Sequence, residues 1–307
     1  MLAPTSPTRE VVFFGTPDIA AQVLTDLLNA GVRVVAVVTT PDKRRGRGNA
    51  TEASPAKKIA LARGIRIIET ADEAVEFLAG HGTDDVTGVV VAYGRIIREP
   101  LLSLIPLVNL HFSLLPRWRG AAPVERAILA GDRETGSSIM QIEAGLDTGA
   151  VYGVERITID DDESVEELRS RLGTIGATQL LNYLGKGFPV PVPQIGEALH
   201  AEKIGVDDLR IDWNRPAVQV KRQVRLGGAF TFFRGQRLKI HRVSIGDLSG
   251  ESSCGTVLAV EKSGVKVAAS EGSVCLESVQ PEGKKPMAAA DWVNGVRPSV
   301  GETFDSH

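Results

Sequence analysis

Residues 11–39, VVFFGTPDIAAQVLTDLLNAGVRVVAVVT, contain the alternation that decides the fold of this chain. Val11–Phe14 is an apolar, β-rich run, and Ile19–Asn29 then carries apolar residues at the three- and four-residue spacing of a helix. Gly31 is the expected helix stop, and Val32–Thr39 is a second, almost wholly apolar run. The stretch therefore predicts a strand, a helix and a second strand.

The same alternation continues through the first half of the chain. Ser54–Arg63 is typical of a helix, because Ser54 can cap its first turn and Pro55 suits its first position. Further short β-rich runs are Arg66–Ile68, Gly88–Val91 and Leu107–Leu110. Near-continuous apolar strands separated by helices are typical of a parallel sheet covered on both faces. We therefore predict an α/β domain with a Rossmann-like, open parallel sheet.

A different pattern follows the predicted helix Glu163–Leu184. Residues 188–193 alternate prolines with apolar residues, which is typical of an extended, semi-rigid linker. Beyond residue 207, short β-rich pieces separated by Gly, Ser and Asp favour a small, OB-like β-barrel. These pieces are Arg237–Val243, Gly255–Val260, Val265–Ala268 and Gly272–Val279. We therefore divide the chain into an α/β domain (1–187), a Pro-rich linker (188–206) and a C-terminal β-barrel (207–307).

The composition of the 307 residues is that of an ordinary globular protein, with 43% hydrophobic residues, 24% charged residues and a formal net charge of -3. Any affinity for polyanions must therefore come from local basic patches. The two cysteines, Cys254 and Cys275, lack a metal-like spacing and favour a reducing compartment. We find neither a signal pattern nor a run long enough for a membrane span, so we expect a cytoplasmic protein without a membrane partner.

Three predicted strands are each followed at once by an unusual segment. GTPD begins at Gly15, AYGR begins at Ala92 and HFSLLP begins at His111. Ligands of open α/β sheets bind beyond the carboxyl ends of the strands. We therefore expect these segments to meet at one binding site.

Several common kinds of site lack their motif. GTPD does not have the glycines of G-x-G-x-x-G, which cradle a pyrophosphate, and the chain contains neither G-x-x-x-x-G-K-[ST] nor G-x-S-x-G. No histidine has a second ligand at metal spacing. The histidines are His81, His111, His200, His241 and His307. We therefore expect neither a dinucleotide site nor a metal site.

Asn109 and His111 lie two positions apart at the end of a predicted strand. In an extended segment such residues point to the same side, so both side chains would face one pocket. An amide can stabilise an oxyanion by donating hydrogen bonds, and an imidazole beside it can transfer a proton. For a lone histidine the alternative is a structural side chain with satisfied hydrogen bonds. Leu114 to Pro116 restrict the backbone that follows and suit a rigid wall for a flat ligand.

A second candidate is Asp147, which lies in the glycine-bounded stretch Gly145–Gly149. A tight loop between glycines would let its carboxylate approach a ligand. The alternative is an ordinary turn aspartate, which is common in such stretches. The stretch alone does not distinguish the two.

Together these segments resemble the 10-formyltetrahydrofolate-dependent formyltransferases. The most specific match is N-x-H-x-S-L-L-P, from Asn109 to Pro116, combined with the later L-D-x-G around Asp147. The matching segments are residues 15–18, 41–48, 92–94, 109–123, 136–149, 210–213 and 281–287. The resemblance spans nearly the whole chain, and it implies that residues 1–187 are catalytic and that the β-barrel binds tRNA.

The resemblance also implies the reaction. The formyl group of 10-formyltetrahydrofolate passes to the α-amino group of methionine esterified to initiator tRNA, for the initiation of translation. By similarity, Asn109 stabilises the oxyanion, while His111 and Asp147 handle the proton. The residues expected to contact the folate are Ser113, Leu114, Leu115, Pro116, Tyr93 and Gly94. The family requires no metal and no nicotinamide.

Basic residues supply the expected tRNA contacts. One loop after the second strand carries Lys43, Arg44, Arg45 and Arg47, which suit a phosphate backbone. The alternative is a solvated charged loop. A second basic region runs from Lys203 to Arg242 and includes Lys221 and Arg222. We expect a monomer that needs no protein partner.

The sequence departs from the family at two places, and two other functions compete with the one above. Phe112 stands where the family commonly has a small residue, and residues 225–231 replace an N-P-W-P-like stretch. One competing function is formylation of an amino sugar nucleotide, which would use the same three catalytic residues. The other is a non-catalytic RNA- or folate-binding protein. The basic loop and basic C-terminal region favour tRNA over a sugar nucleotide.

Overall fold

The computed structural model describes residues 1–44, 51–247, 252–262 and 264–305, and for residues 43 and 44 it describes the backbone only. Contacts divide the chain into two compact units. The first unit comprises Met1–Val124, Arg133–Thr158 and Glu167–Glu202, and the second comprises Glu125–Asp132, Ile159–Glu166 and Lys203–His307.

Strands and helices alternate in the first half, and strands dominate after residue 229. The strands are β1 (Glu10–Gly15), β2 (Val34–Val38), β3 (Lys43–Arg44), β4 (Thr51–Glu52), β5 (Arg66–Ile68), β6 (Val86–Val91), β7 (Leu107–His111), β8 (Arg119–Gly120), β9 (Glu134–Gln141), β10 (Val151–Thr158), β11 (His200–Ala201), β12 (Phe230–Phe233), β13 (Gln236–Gly246), β14 (Val257–Glu261), β15 (Gly264–Ala268), β16 (Ser273–Pro281), β17 (Met287–Ala288) and β18 (Phe304–Asp305). The helices are α1 (Asp18–Asn29), α2 (Pro55–Ala62), α3 (Ala71–His81), α4 (Leu101–Leu104), α5 (Pro123–Ala130), α6 (Val165–Lys186), α7 (Val206–Leu209), α8 (Ala217–Arg225) and α9 (Ala289–Val296).

The first unit is built on a seven-stranded sheet with the order β10-β9-β7-β6-β1-β2-β5. The strands from β7 to β5 run parallel, which confirms the predicted Rossmann-like sheet. A parallel sheet that is covered on both faces buries its central strands along their length. In β1, the apolar run Val11–Phe14 has no exposed surface. Ser54 caps α2 as expected, because its hydroxyl accepts a hydrogen bond from the backbone N–H of Lys57 at 3.2 Å.

The sheet continues beyond its parallel part as an antiparallel extension. β9 runs antiparallel to β7, and β10 runs antiparallel to β9. The sequence predicted the parallel part of the sheet and gave no sign of this antiparallel edge. The connection between β9 and β10 can close a hairpin but is too short for the crossover that a parallel pair needs.

The Pro-rich segment packs on the first unit. Val192 exchanges backbone hydrogen bonds with Val151 at 2.8 Å, and β11 pairs with β8. Phe188 is buried. Alternating prolines leave the N–H of every second residue available, so Val192 can pair although prolines flank it. Residues 188–201 are therefore an ordered strap on this unit, and the first unit extends to Glu202.

The second unit contains an antiparallel sheet with the strand order β14-β15-β16-β13-β12-β18, and β17 pairs with β16. A bridge between Thr256 and Thr303 joins the two ends of this order, so the sheet curls into a barrel. Aromatic side chains fill it: Phe304 lies 5.6 Å from Trp213 and 4.8 Å from Phe233, measured between ring centroids. The predicted C-terminal β-barrel is confirmed.

Replacing Trp213 by alanine should destabilise the barrel strongly. Trp213 has no exposed surface, and its indole N–H donates to the Thr231 hydroxyl at 3.0 Å. Removing a buried aromatic side chain leaves a cavity that typically costs about 3–5 kcal/mol in the free energy of unfolding. Chemical denaturation followed by far-UV circular dichroism measures this loss. Val218→Ala, at a site 43% exposed on α8, is the control and should change stability little. A similar stability for both variants would contradict this account of the core.

Candidate active site

The carboxyl ends of three neighbouring strands form the candidate site of the first unit. β7, β6 and β1 are adjacent and parallel, so the segments after Gly15, Val91 and His111 leave the sheet at the same edge. The Thr16 hydroxyl donates to the Tyr93 carbonyl at 3.3 Å, which joins two of these segments directly. The convergence expected from the strand ends is therefore present.

Asn109, His111 and Asp147 meet at this edge. The Asn109 amide donates from Nδ2 to Oδ1 of Asp147 at 3.3 Å. The Nδ1 atom of His111 lies 3.7 Å from the other carboxylate oxygen, Oδ2. The side chains of His111 and Asp147 are 6% and 13% exposed. The structure thus brings an amide, an imidazole and a carboxylate together with little exposed surface, although 38 positions separate Asn109 from Asp147.

The backbone of the Asp147 loop brings the carboxylate to this place. Asp147 has φ +51°, in the left-handed region that non-glycine residues rarely adopt. A Cβ atom at Gly149 would collide with the carbonyl oxygen of Gln141, so only glycine allows this close approach. The backbone N–H of Gly120 also donates to Oδ2 of Asp147 at 2.9 Å. The carboxylate therefore accepts hydrogen bonds at both of its oxygens.

A hydrogen bond also determines the tautomer of His111. Its Nε2 atom lies 2.8 Å from the backbone carbonyl oxygen of Trp118. A carbonyl can only accept, so we assign the hydrogen to Nε2. In the neutral ring the lone pair is then on Nδ1, which faces Asp147. Trp118 reaches this position with φ +63°, and the Arg117 guanidinium lies over its ring at 4.7 Å.

The predicted folate wall, Ser113–Pro116, is an ordered loop tied to β9. The Ser138 hydroxyl donates to the Ser113 carbonyl at 2.6 Å and accepts from the Leu115 N–H at 3.3 Å. Ser113 itself is buried, and its hydroxyl donates to the Arg117 carbonyl at 2.6 Å. Leu114, Leu115 and Pro116 are half-buried. Their apolar side chains are thus partly exposed, whereas the Ser113 hydroxyl is bonded within the loop.

Tyr93 and Gly94 follow β6 at the same edge. The Tyr93 ring packs against Phe14 with 5.6 Å between centroids, and burial raises the pKa of its hydroxyl. Gly94 has φ +75°, and a Cβ atom there would meet open space. The departure at Phe112 is a buried side chain, only 6% exposed.

The candidate tRNA contacts are less completely described. Arg45 and Arg47 lie outside the described residues, and the backbones of Lys43 and Arg44 pair with β4. In the second unit, Lys221 pairs with Asp162 at 2.5 Å, and this contact lowers the pKa of the Asp162 carboxyl. Arg222 donates to Oε1 of Gln219 at 3.3 Å.

Sequence reasoning missed three groups that contact the catalytic residues. They are the carbonyl of Trp118, the N–H of Gly120 and the side chain of Gln194, whose amide donates to the Asp147 carbonyl at 2.9 Å. The first two are backbone groups, and a backbone C=O or N–H is not specific to any one residue type, so no sequence motif marks them. Gln194 stands among the prolines of the strap and matches no catalytic motif.

Among the residues that the structure describes, no cluster of three or more His, Cys, Asp or Glu side chains could hold a metal ion. No helix in this described part of the chain combines the length and the apolar character needed to span a bilayer.

Comparisons with known proteins follow the same division of the chain. Residues 8–184 match the formyl transferase family model, and residues 203–297 match the model of the formyl transferase C-terminal domain. HypX from Aquifex aeolicus, solved in complex with tetrahydrofolic acid, aligns with a TM-score of 0.63 at 15% identity over 97% of this chain and 49% of its own. An N-formyltransferase from Helicobacter canadensis, in complex with folinic acid and dTDP-3-aminofucose, aligns with a TM-score of 0.62 at 16% identity over 87% of this chain and 98% of its own. At these identities the two structures show the fold alone.

Sequence similarity is more specific than the fold. A methionyl-tRNA formyltransferase of Myxococcus xanthus is 42% identical over 306 residues, which cover 95% of this chain and 96% of the relative. One of Corynebacterium diphtheriae is 40% identical over 95% of this chain and 98% of its own. With both domain models matched and such identity over nearly the whole length, the chain belongs to the family of methionyl-tRNA formyltransferases.

Proposed function

We propose that Asn109, His111 and Asp147 catalyse the transfer of the formyl group of 10-formyltetrahydrofolate to the α-amino group of methionyl initiator tRNA. The observation that carries this proposal is the meeting of an amide, an imidazole and a largely buried carboxylate at the end of β7. Family membership supports the reaction, because relatives that are 42% and 40% identical over nearly their full length are methionyl-tRNA formyltransferases.

The reaction sets three chemical requirements. The amine nitrogen attacks the formyl carbon, a carbon–nitrogen bond forms, and the carbonyl oxygen becomes an oxyanion in a tetrahedral intermediate. The bond to folate N10 then breaks. The amine loses a proton and N10 gains one, so the two substrates exchange a formyl group for a proton without a redox change. The site must supply an oxyanion donor, a proton carrier and a charge that stabilises that carrier.

His111 is the proton carrier. Because Nε2 keeps its hydrogen on the Trp118 carbonyl, the basic lone pair is on Nδ1 and can take the proton from the attacking amine. The imidazolium formed in this step lies 3.7 Å from the carboxylate of Asp147. Opposite charges at this distance in a site with little water attract strongly, so Asp147 stabilises the protonated ring. The ring then returns the proton to the departing N10.

Asn109 is the oxyanion donor. Its amide carries two N–H groups, and one of them holds Asp147 at 3.3 Å, a long hydrogen bond. The other N–H is assigned to the oxygen of the formyl group. Asp147 therefore also aligns Asn109, and the same carboxylate orients the oxyanion donor and balances the charge of the base.

The loop Ser113–Pro116 and the residues Tyr93 and Gly94 form the folate site in this proposal. Leu114, Leu115 and Pro116 offer an apolar wall, and Gly94 leaves space above the backbone. Ser113 acts through its backbone, because its hydroxyl is donated to Arg117. 10-Formyltetrahydrofolate is the only co-substrate, and the acid–base groups named above meet the requirements of the chemistry without a metal.

Initiator tRNA binds basic residues of both halves of the chain in this proposal. They are Lys43, Arg44, Arg45, Arg47, Lys221 and Arg222. Lys221 contributes to the local positive potential although Asp162 partly neutralises it. The barrel from residue 207 onward binds the tRNA, residues 1–187 catalyse the transfer, and one chain in the cytoplasm suffices without a protein partner.

Asn109→Ala and His111→Ala should each lower kcat by roughly two to four powers of ten, because each removes a group that acts mainly in the transition state. The KM for methionyl-tRNA should change little. Steady-state formylation assays with varied tRNA measure both constants. His81→Gln is the control: His81 ends α3 and pairs with Glu10 at the first residue of β1, the opposite end of that strand from the site. An increase in KM with unchanged kcat would refute the assigned roles.

The acceptor substrate can be tested directly. The enzyme should formylate methionyl initiator tRNA with 10-formyltetrahydrofolate and should give no product with a dTDP-linked amino sugar. The expected preference follows from the basic loop, which suits a phosphate backbone. Product from the sugar nucleotide and none from the tRNA would overturn the assignment, and mass spectrometry of the products identifies which acceptor was used.

Replacing Arg47 by alanine should raise the KM for tRNA and leave the KM for folate unchanged. Loss of one phosphate contact should also reduce the slope of log KM against log salt by about 1. Arg9→Ala is the matched control, because Arg9 is an exposed arginine paired with Asp85 beside the start of β1. Identical salt slopes for Arg47→Ala and the unmodified enzyme would show that the loop is only solvated surface.

A further inference from the structure

We propose that Gln194 is a positioning residue that holds the Asp147 loop, and with it the catalytic carboxylate, in its reactive orientation. This inference rests on the proposed role of Asp147. Gln194 lies in the Pro-rich strap, a segment whose sequence is typical of a spacer. In the structure its side chain touches the loop that carries Asp147.

The side chain of Gln194 is fully engaged. Its Nε2 atom donates to the carbonyl of Asp147 at 2.9 Å and to the carbonyl of Gly149 at 2.8 Å. Its Oε1 atom accepts from Nε and Nη2 of Arg119 at 3.0 and 2.7 Å. A glutamine side chain has two N–H donors and one oxygen with two lone pairs, so these four hydrogen bonds use its whole capacity.

This arrangement allows only one orientation of the amide. Rotation by half a turn would place Oε1 against the two loop carbonyls and the NH₂ group against the guanidinium of Arg119. Each of the four contacts would then join two acceptors or two donors. The guanidinium therefore orients the amide, and the amide orients the loop.

The loop depends on such external support. Asp147 has a left-handed backbone, which non-glycine residues rarely adopt unless their surroundings hold them there. Gly149 is already in close approach to the carbonyl of Gln141 in β9. Gln194 binds the carbonyls of residues 147 and 149, on either side of Thr148. It thereby determines where the Asp147 side chain leaves the backbone.

The carboxylate of Asp147 is linked to the same neighbours. Gly120 donates its N–H to Oδ2 of Asp147, and the adjacent Arg119 orients Gln194. These two residues form β8, which pairs with β11 of the strap. Val192 pairs with Val151 at the other end, so backbone hydrogen bonds anchor the strap on both sides of Gln194. The strap thus supports the backbone of Asp147 directly and its carboxylate through β8.

Gln194→Glu tests this role with almost no change of shape. The variant keeps an oxygen for Arg119 and replaces the donating nitrogen by an oxygen that faces two carbonyls. Loss of an outer partner of a metal ligand typically costs about 10- to 100-fold in activity, and we expect kcat to fall by the same order for this partner of a catalytic loop. The KM values for 10-formyltetrahydrofolate and tRNA should stay within about twofold, because the affected loop acts in the transition state.

Glu197→Gln is the matched control. Residue 197 lies on the same strap, is exposed, and undergoes the opposite exchange of an acid for an amide. Its kcat should equal that of the unmodified enzyme. If the thermal unfolding of Gln194→Glu shows a misfolded protein, Gln194→Ala removes the hydrogen bonds without adding a repulsive oxygen and should show the same kcat-selective loss.

A double-mutant cycle with Asp147→Asn shows whether Gln194 acts through Asp147. If it does, Gln194→Glu should cost less than about threefold in kcat once Asp147 is asparagine, because effects of coupled residues are not additive. Equal losses in both backgrounds, or an unchanged kcat in folded Gln194→Glu, would overturn the inference. Full activity of Asp147→Asn alone would instead overturn the proposed function itself. The two failures are therefore distinguishable.

Discussion

The carboxylate of Asp147 is the group on which the site depends. It accepts hydrogen bonds from the Asn109 amide and the Gly120 N–H, and it lies 3.7 Å from the imidazole of His111. A largely buried carboxylate is stable only when hydrogen-bond donors or an opposite charge compensate for the water it loses. The same contacts that stabilise this charge also align the amide and give the imidazole a partner for its protonated form. The hydrogen bonds that stabilise the buried carboxylate therefore also place the catalytic groups for the reaction.

The fold supplies this arrangement from its strand ends. The parallel strands are covered on both faces, so their side chains are unavailable to a ligand along most of their length. Ligands of such sheets bind at the carboxyl ends of the strands, and β7 ends with Asn109 and His111 at alternate positions. The antiparallel hairpin β9–β10 then places the Asp147 loop beside β7. One half of the site thus comes from the parallel sheet and the other from its antiparallel extension.

Features that depend on residues close together in the sequence were predictable for a physical reason. The two-residue period of a strand makes Asn109 and His111 neighbours on one face whatever surrounds them. The strands, α1 and the cap of α2 follow from local patterns of the same kind. A catalytic role for Asp147 was inferred only from the chain's resemblance to a family, since an aspartate between glycines also suits an ordinary turn. The antiparallel direction of β9 and the packing of the strap were not predicted, because both depend on hydrogen bonds between distant segments.

By itself the sequence determined the alternating architecture, the barrel after residue 207 and the placement of Asn109 and His111 on the same face of one strand. These features depend on periodicity and on residues close in the chain. Only the tertiary structure decided which hydrogen His111 retains, how Asp147 is held and what the Pro-rich segment does. These features depend on the Trp118 carbonyl, the Gly120 N–H, the Gln194 side chain and the backbone pairing of the strap. No residue type or motif marks these groups for such contacts, so their positions become visible only when the chain has folded.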